Sequence, residues 1–101
     1  MKLWLDDVRS MPAGYDVWAK TADEAIEYLK TGQVTEISFD HDLGLDKSGY
    51  DVAKWIEEQA AYGQIKSMIW HVHSANVVGA ALITKAMQKA NEFWDDHLLP
   101  E

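Results

Sequence analysis

The chain has no cysteine, which excludes a disulfide scaffold, a thiolate zinc site and a cysteine nucleophile. Positive charge is also scarce: 9 lysines and arginines face 17 aspartates and glutamates, a formal net charge of −8. A general nucleic-acid binder needs a cationic surface to displace phosphate counterions, so no extended nucleic-acid surface is expected and any polynucleotide contact is local. No apolar run reaches membrane-spanning length, and the opening Met1-Lys2-Leu3-Trp4 lacks the long apolar stretch and cleavage site of a signal peptide. A cytoplasmic protein without a membrane partner is the expectation. No linker, repeat or low-complexity tract interrupts the 101 residues, which make one domain over 1–101 with a single modest core.

What is present is an alternation of short apolar runs with helical patterns. Lys2-Leu3-Trp4-Leu5 reads as a buried strand that stops at Asp6-Asp7, and Val8 to Gly14 as a connection in which Pro12 and Gly14 oppose a long helix. Asp16 to Lys20 alternates enough for an edge strand. Thr21 and Glu24 then form a capping box for a helix carrying Ala22, Ala25, Ile26 and Leu29 on its apolar face, with Gly32 as its stop. The run from Glu36 to Asp40 reads as the central strand, followed by a polar turn through Leu45-Asp46-Lys47. Ser48 and Asp51 repeat the capping signature for a helix with Val52, Ala53, Ile56 and Ala60 inward, closed by Gly63. Ser67 to Ser74 is the last strand, and Asn76 caps a final helix with Ala80, Ile83, Met87, Ala90 and Trp94 on its apolar face. That helix is expected to fray at Asp95-Asp96-His97, with His97 inert, into a tail ending at Pro100 and Glu101. Strands alternating with helices imply a parallel α/β sheet, and four strands with about three helices suffice for a small three-layer domain if both sheet faces are covered.

The chemistry-bearing residues fall at strand ends. Ser38-Phe39-Asp40-His41-Asp42-Leu43-Gly44 breaks from an apolar strand into two carboxylates flanking an imidazole, and Asp6-Asp7 and His73-Ser74-Ala75-Asn76 end two other strands. Open parallel sheets bind ligands at that carboxyl edge. Adjacent acids repel unless a cation or hydrogen bonds relieve them. Arg9 either clamps a phosphate through parallel hydrogen bonds or pairs with Asp7. His71 reads as a satisfied structural histidine and His73 as a site residue. The His-x-His spacing supplies two zinc ligands where a site wants three or four.

Leu5-Asp6-Asp7, the run Trp18 to Ile26 leading into a helix, and Phe39-Asp40 ending a central strand resemble a response-regulator receiver domain. The resemblance implies a flavodoxin-like sheet of order 2-1-3-4, Asp6 and Asp7 as metal-binding carboxylates, and Asp40 at the phosphoacceptor position. The chain departs from a receiver in the short stretch between its first two strands and in lacking a clear fifth strand with its lysine. A fuller likeness spans nearly the whole chain. Leu5-Asp6-Asp7-Val8-Arg9 with Pro12, Ser38 to Gly44, Gly49-Tyr50-Asp51-Val52, and His73-Ser74-Ala75-Asn76 with Gly79 resemble the cyclic-phosphate processing receiver-like family. Val77 stands where that pattern expects proline. The resemblance implies action on cyclic phosphates in RNA-end processing or repair.

The expected reaction is hydrolysis of a cyclic phosphodiester, a 2′,3′-cyclic phosphate on an RNA terminus or a nucleotide. Such ring opening needs a base for water, an acid for the departing ribose oxygen and positive charge at phosphorus. His41 and His73 suit the proton transfers because imidazole titrates near pH ~6.5, with Asp40 as the third catalytic residue. Arg9, Ser74 and Asn76 are the expected phosphate-binding groups, and Asp6, Asp7, Asp40 and Asp42 the expected carboxylates for Mg²⁺ or Mn²⁺. The same residues also suit a binding module that captures a cyclic nucleotide or RNA end without turning it over, and Asp40 suits a phosphoaccepting signalling domain.

Overall fold

The computed structural model describes residues 1–44 and 46–98, without the side chains of His97 and Leu98. Its elements are β1 (Lys2–Leu5), β2 (Val17–Ala19), α1 (Ala22–Lys30), β3 (Glu36–Phe39), α2 (Gly49–Ala61), β4 (Ile69–Val72) and α3 (Val77–Leu98). All three strand pairings are parallel and the order is β2-β1-β3-β4, the receiver-like α/β arrangement expected from the sequence. The Ser48 signal acts as read, its amide donating to Asp51 Oδ2 at 2.7 Å while its Oγ accepts the Tyr50 amide at 3.2 Å. At α1 only half of the box forms: Thr21 Oγ1 accepts the Glu24 amide at 3.1 Å, but Glu24 Oε1 takes the Thr21 hydroxyl at 3.3 Å and not its amide.

Three strands are shorter than read, β2 spanning Val17–Ala19, β3 Glu36–Phe39 and β4 Ile69–Val72, and one helix end differs. Helix α3 continues through Asp95 and Asp96 instead of fraying there, because solvated acids do not stop a helix that is already propagating and no glycine or proline intervenes before Pro100. Leu45, the side chain of His97, and the tail Pro100-Glu101 lie outside the described residues. Among those described, no helix is long and apolar enough to cross a membrane.

The layering follows from the order of the strands. The connections β2 to β3 through α1 and β3 to β4 through α2 advance in the same direction across the sheet, so their right-handed sense puts both helices on one face. Helix α3 packs against α2 and joins them there. A single core results. Leu3, Leu5, Ala19, Ile37 and Phe39 meet Ala25, Leu29, Val52, Ile56, Ile83 and Met87, and all are essentially inaccessible. The opposite face carries Trp4, Trp18, Ser38 and His71, which are paired in register, and no described helix covers it. Trp4 stands apart from the core and meets Tyr15 edge-on at 5.3 Å. The expected third layer is therefore a covering of side chains from the connection over residues 6–16, which is too short for a helix. His71 on this face is paired, as expected, its Nε2 2.9 Å from Glu36 Oε2.

Candidate functional site

Residues just past the ends of β1, β3 and β4 converge on one rim. Asp6 lies one residue beyond β1, and its amide is held by the Ala19 carbonyl of β2 at 3.1 Å. Asp40 lies one residue beyond β3, with its amide on the Leu5 carbonyl at 2.8 Å, and His73 lies one residue beyond β4, with its amide on the Phe39 carbonyl at 2.9 Å. The parallel ladder thus continues for one rung, and that rung is the site. Oxygens of Asp6, Asp7 and Asp40 lie within 4.8 Å of one another. They line a groove of about 390 Å³ together with Val8, Arg9, Asp42, Gly44 and Ala75.

Asp6 is the anchored member, only 1% exposed. The Val8 and Arg9 amides donate to its Oδ1 at 2.8 and 2.7 Å, and His73 Nε2 lies 2.9 Å from its Oδ2. Burial alone would raise its carboxyl, but those two amides and His73 outweigh burial and hold it below the usual carboxylate value. Asp40 is shifted the other way. Burial, then the charge of Asp6, push its carboxyl up against the opposing pull of the His41 amide, His73 and the Ser74 hydroxyl. The three carboxylates form a hard, all-oxygen donor set of the kind that suits Mg²⁺ or Mn²⁺ better than zinc. Asp40 Oδ1 accepts the His41 amide at 2.9 Å. Asp42 is not part of this cluster. Its Oδ1 lies 2.8 Å from His41 Nδ1 and accepts Asn76 Nδ2 at 3.2 Å, so the expected fourth carboxylate ligand is instead a partner of the histidine.

The two candidate histidines have different surroundings. His73 has both nitrogens occupied, Nε2 by Asp6 and Nδ1 by Ser38 Oγ at 2.7 Å. Its ring stacks on Trp4 with centroids 3.9 Å apart and planes 4° from parallel. With Asp6 ionised, Nε2 carries the proton it donates, and Nδ1 faces the Ser38 hydroxyl. That is the setting of a histidine that fixes a carboxylate, not of a free proton shuttle. His41 differs. Its Nδ1 proton goes to Asp42, whose carboxyl is held low first by that bond and then by Asn76. Its Nε2 stays accessible, with no hydrogen-bond partner among the described residues. Two glycines let the helices close in on this turn. A Cβ at Gly49 would collide with the Asp40 carbonyl oxygen and one at Gly79 with the His41 ring, so α2 and α3 both begin in contact with the site.

The expected phosphate ligands divide. Arg9 makes no ion pair with Asp7. Its Nη1 donates to the His73 carbonyl at 2.6 Å, which ties the β1–β2 connection to the end of β4 and leaves the rest of an exposed guanidinium at the groove. Asn76 is committed elsewhere. Its Oδ1 accepts the Gly79 amide at 2.9 Å as the cap of α3, and its Nδ2 serves Asp42. Ser74 accepts the Asn76 amide at 3.0 Å and neighbours Asp40. Both therefore help to shape the rim.

Sequence reasoning missed Trp4 and Ser38. Ser38 is 3% exposed, and a buried hydroxyl between Ile37 and Phe39, on the same face as Asp40 by alternation, was the available signal. Trp4 gave none, because its role depends on β1 lying beside β3 and on β4 lying beyond it.

Searches of curated proteins and of solved structures return no match. The model of one family, the cyclic-phosphate processing receiver domain, matches residues 1–89, a span that contains every site residue described above, and the chain belongs to that family.

Proposed function

We propose that this protein hydrolyses a cyclic phosphodiester, a 2′,3′-cyclic phosphate at an RNA end or on a nucleotide, to a phosphate monoester. The observation that carries this reading is the His41–Asp42 pair, with its free Nε2, standing on the same rim as three clustered carboxylates and an exposed arginine. Membership of a family described by cyclic-phosphate processing supports it.

In this reading water attacks phosphorus, one ring P–O bond breaks, and the released ribose oxygen takes a proton from solvent. His41 Nε2 accepts the proton of the attacking water, and Asp42 steadies the imidazolium that forms. Arg9 neutralises charge on the phosphoryl oxygens. Asp6, Asp7 and Asp40 would hold a divalent ion, which when bound supplies further positive charge to the phosphate. Ser38 and Trp4 position His73, and His73 positions Asp6.

The test is incubation with cyclic-phosphate-terminated oligonucleotides and cyclic mononucleotides, with Mg²⁺, Mn²⁺ or chelator, and identification of products. A 2′- or 3′-monophosphate is expected, with His41→Ala slowing turnover by about 10²-fold or more. Tight binding with substrate recovered intact would replace hydrolysis by capture, and neither binding nor turnover would sink the reading.

A further inference from the structure

On the side of the molecule away from Trp4, helices α2 and α3 leave a groove of about 690 Å³ between them. Its near end lies one residue past Gly49, which abuts Asp40 at the head of α2, and one turn past Gly79, which abuts His41 in the first turn of α3. Tyr50 and Leu82 line its near end, with Leu82 39% exposed. Lys54 follows on α2 and Lys85 on α3. Farther along, Lys89 pairs with Glu92 at 3.9 Å, and Glu57 adds a further negative charge.

This is an unusual place in so acidic a chain. Three of its 9 cationic residues line one groove. Lys2, Lys30 and Lys47 are engaged by Glu36, Glu27 and Asp23 respectively. Lys54 and Lys85 make no ion pair among the described residues and come from the two opposing walls, with Lys54 Nζ 5.8 Å from the centre of the Tyr50 ring, which it would leave for a phosphate. The cationic part is the part nearest the site, and the far end is balanced by acids. The arrangement fits a single phosphodiester with a flat apolar group beside it, and not a long polyanion.

We infer that this groove receives the nucleotide immediately 5′ of the cyclic end, with its phosphodiester between Lys54 and Lys85 and its base against Tyr50 and Leu82. The inference rests on the proposed function and narrows it: the preferred ligand is a single-stranded RNA end, not a free cyclic nucleotide. A phosphate contact supplies affinity without reading sequence, and stacking on an aromatic ring tolerates any base.

The experiment compares binding of a cyclic mononucleotide and of a short single-stranded RNA ending in a 2′,3′-cyclic phosphate, by calorimetry, for the wild type and for the double variant Lys54→Gln/Lys85→Gln. Both positions are exposed, so the fold is expected to persist, and circular dichroism checks it. The wild type should bind the RNA at least about tenfold more tightly than the mononucleotide. The double variant should lose that advantage and keep mononucleotide affinity. Its slope of log affinity against log salt for the RNA should be shallower by about 0.7, because one phosphate is no longer neutralised. If the mononucleotide binds and the RNA gains nothing, or the variant keeps the gain, the groove assignment is wrong while the proposed function stands. Equal binding of a polyglutamate peptide to this face would also overturn it. If neither nucleotide ligand binds, the proposed function fails first.

Discussion

Asp6 and Asp40 are neighbours of like charge with opposite shifts, and the difference lies in what surrounds each. Asp6 is met by two amides and an imidazole, whereas Asp40 meets burial and the charge of Asp6. The folded state therefore holds the Asp40 proton more tightly than the unfolded chain, whose carboxyl titrates near 3.8. Stability then falls as pH rises from 3.8 through the higher folded value, and at neutral pH the ionised carboxylate is a cost. Asp6 has the opposite sign: its contribution is present above 3.8 and is lost as pH falls through its lower folded value. Asp40→Asn is therefore expected to raise the melting temperature at pH 7 in chelator. Thermal unfolding followed from pH 3 to pH 7 should show the variant gaining on the wild type as pH rises, and a variant less stable than wild type at pH 7 would contradict this account. Both aspartates were legible in the sequence as acids at the ends of apolar runs. The commitment of His73 to Asp6 was not legible, because it depends on β4 reaching the same rim as β1 across β3. The Trp4 ring beneath His73 follows from that same placement.

At the scale of elements, the starts of α2 and α3 define the site as much as the strands do. Capping signals written within four residues, such as Thr21 to Glu24 and Ser48 to Asp51, could be read directly, because a helix start is a local event. The approach of Gly79 to His41 joins positions far apart in sequence, and no local pattern announces it. The placement of α1 and α2 on one face was available in principle from the order 2-1-3-4 and right-handed crossovers, whereas α3 follows the last described strand and is placed by its packing against α2. Gly79→Ala tests the contact. Alanine is the better helix former by about 1 kcal/mol, yet its Cβ would displace the His41 ring from Asp42. Under the proposed function, helix content should be retained while turnover of a cyclic phosphate drops by about 10²-fold, as for His41→Ala. A variant as active as wild type would show that the exact seat of His41 does not matter.

The whole molecule is a two-layer domain with a net charge of −8 whose sharpest concentration of like charge is the rim formed by Asp6, Asp7 and Asp40. Folding brings these carboxylates together at a cost in free energy, and a divalent cation that binds only the folded form would return that energy as stability. At a concentration tenfold above its dissociation constant such an ion contributes about 1.4 kcal/mol. For a domain of this size that is a rise in melting temperature of about 6–11 °C. Generic screening of the net charge would also stabilise the fold, but it depends on ionic strength and not on the identity of the ion. Scanning calorimetry in millimolar Mg²⁺ or Mn²⁺ should therefore show a saturable rise that NaCl of equal ionic strength does not reproduce, and Asp7→Asn should abolish it without unfolding the chain, since Asp7 is partly exposed. A rise matched by NaCl, or one that survives in Asp7→Asn, would mean that the carboxylates repel one another for some purpose other than holding a metal.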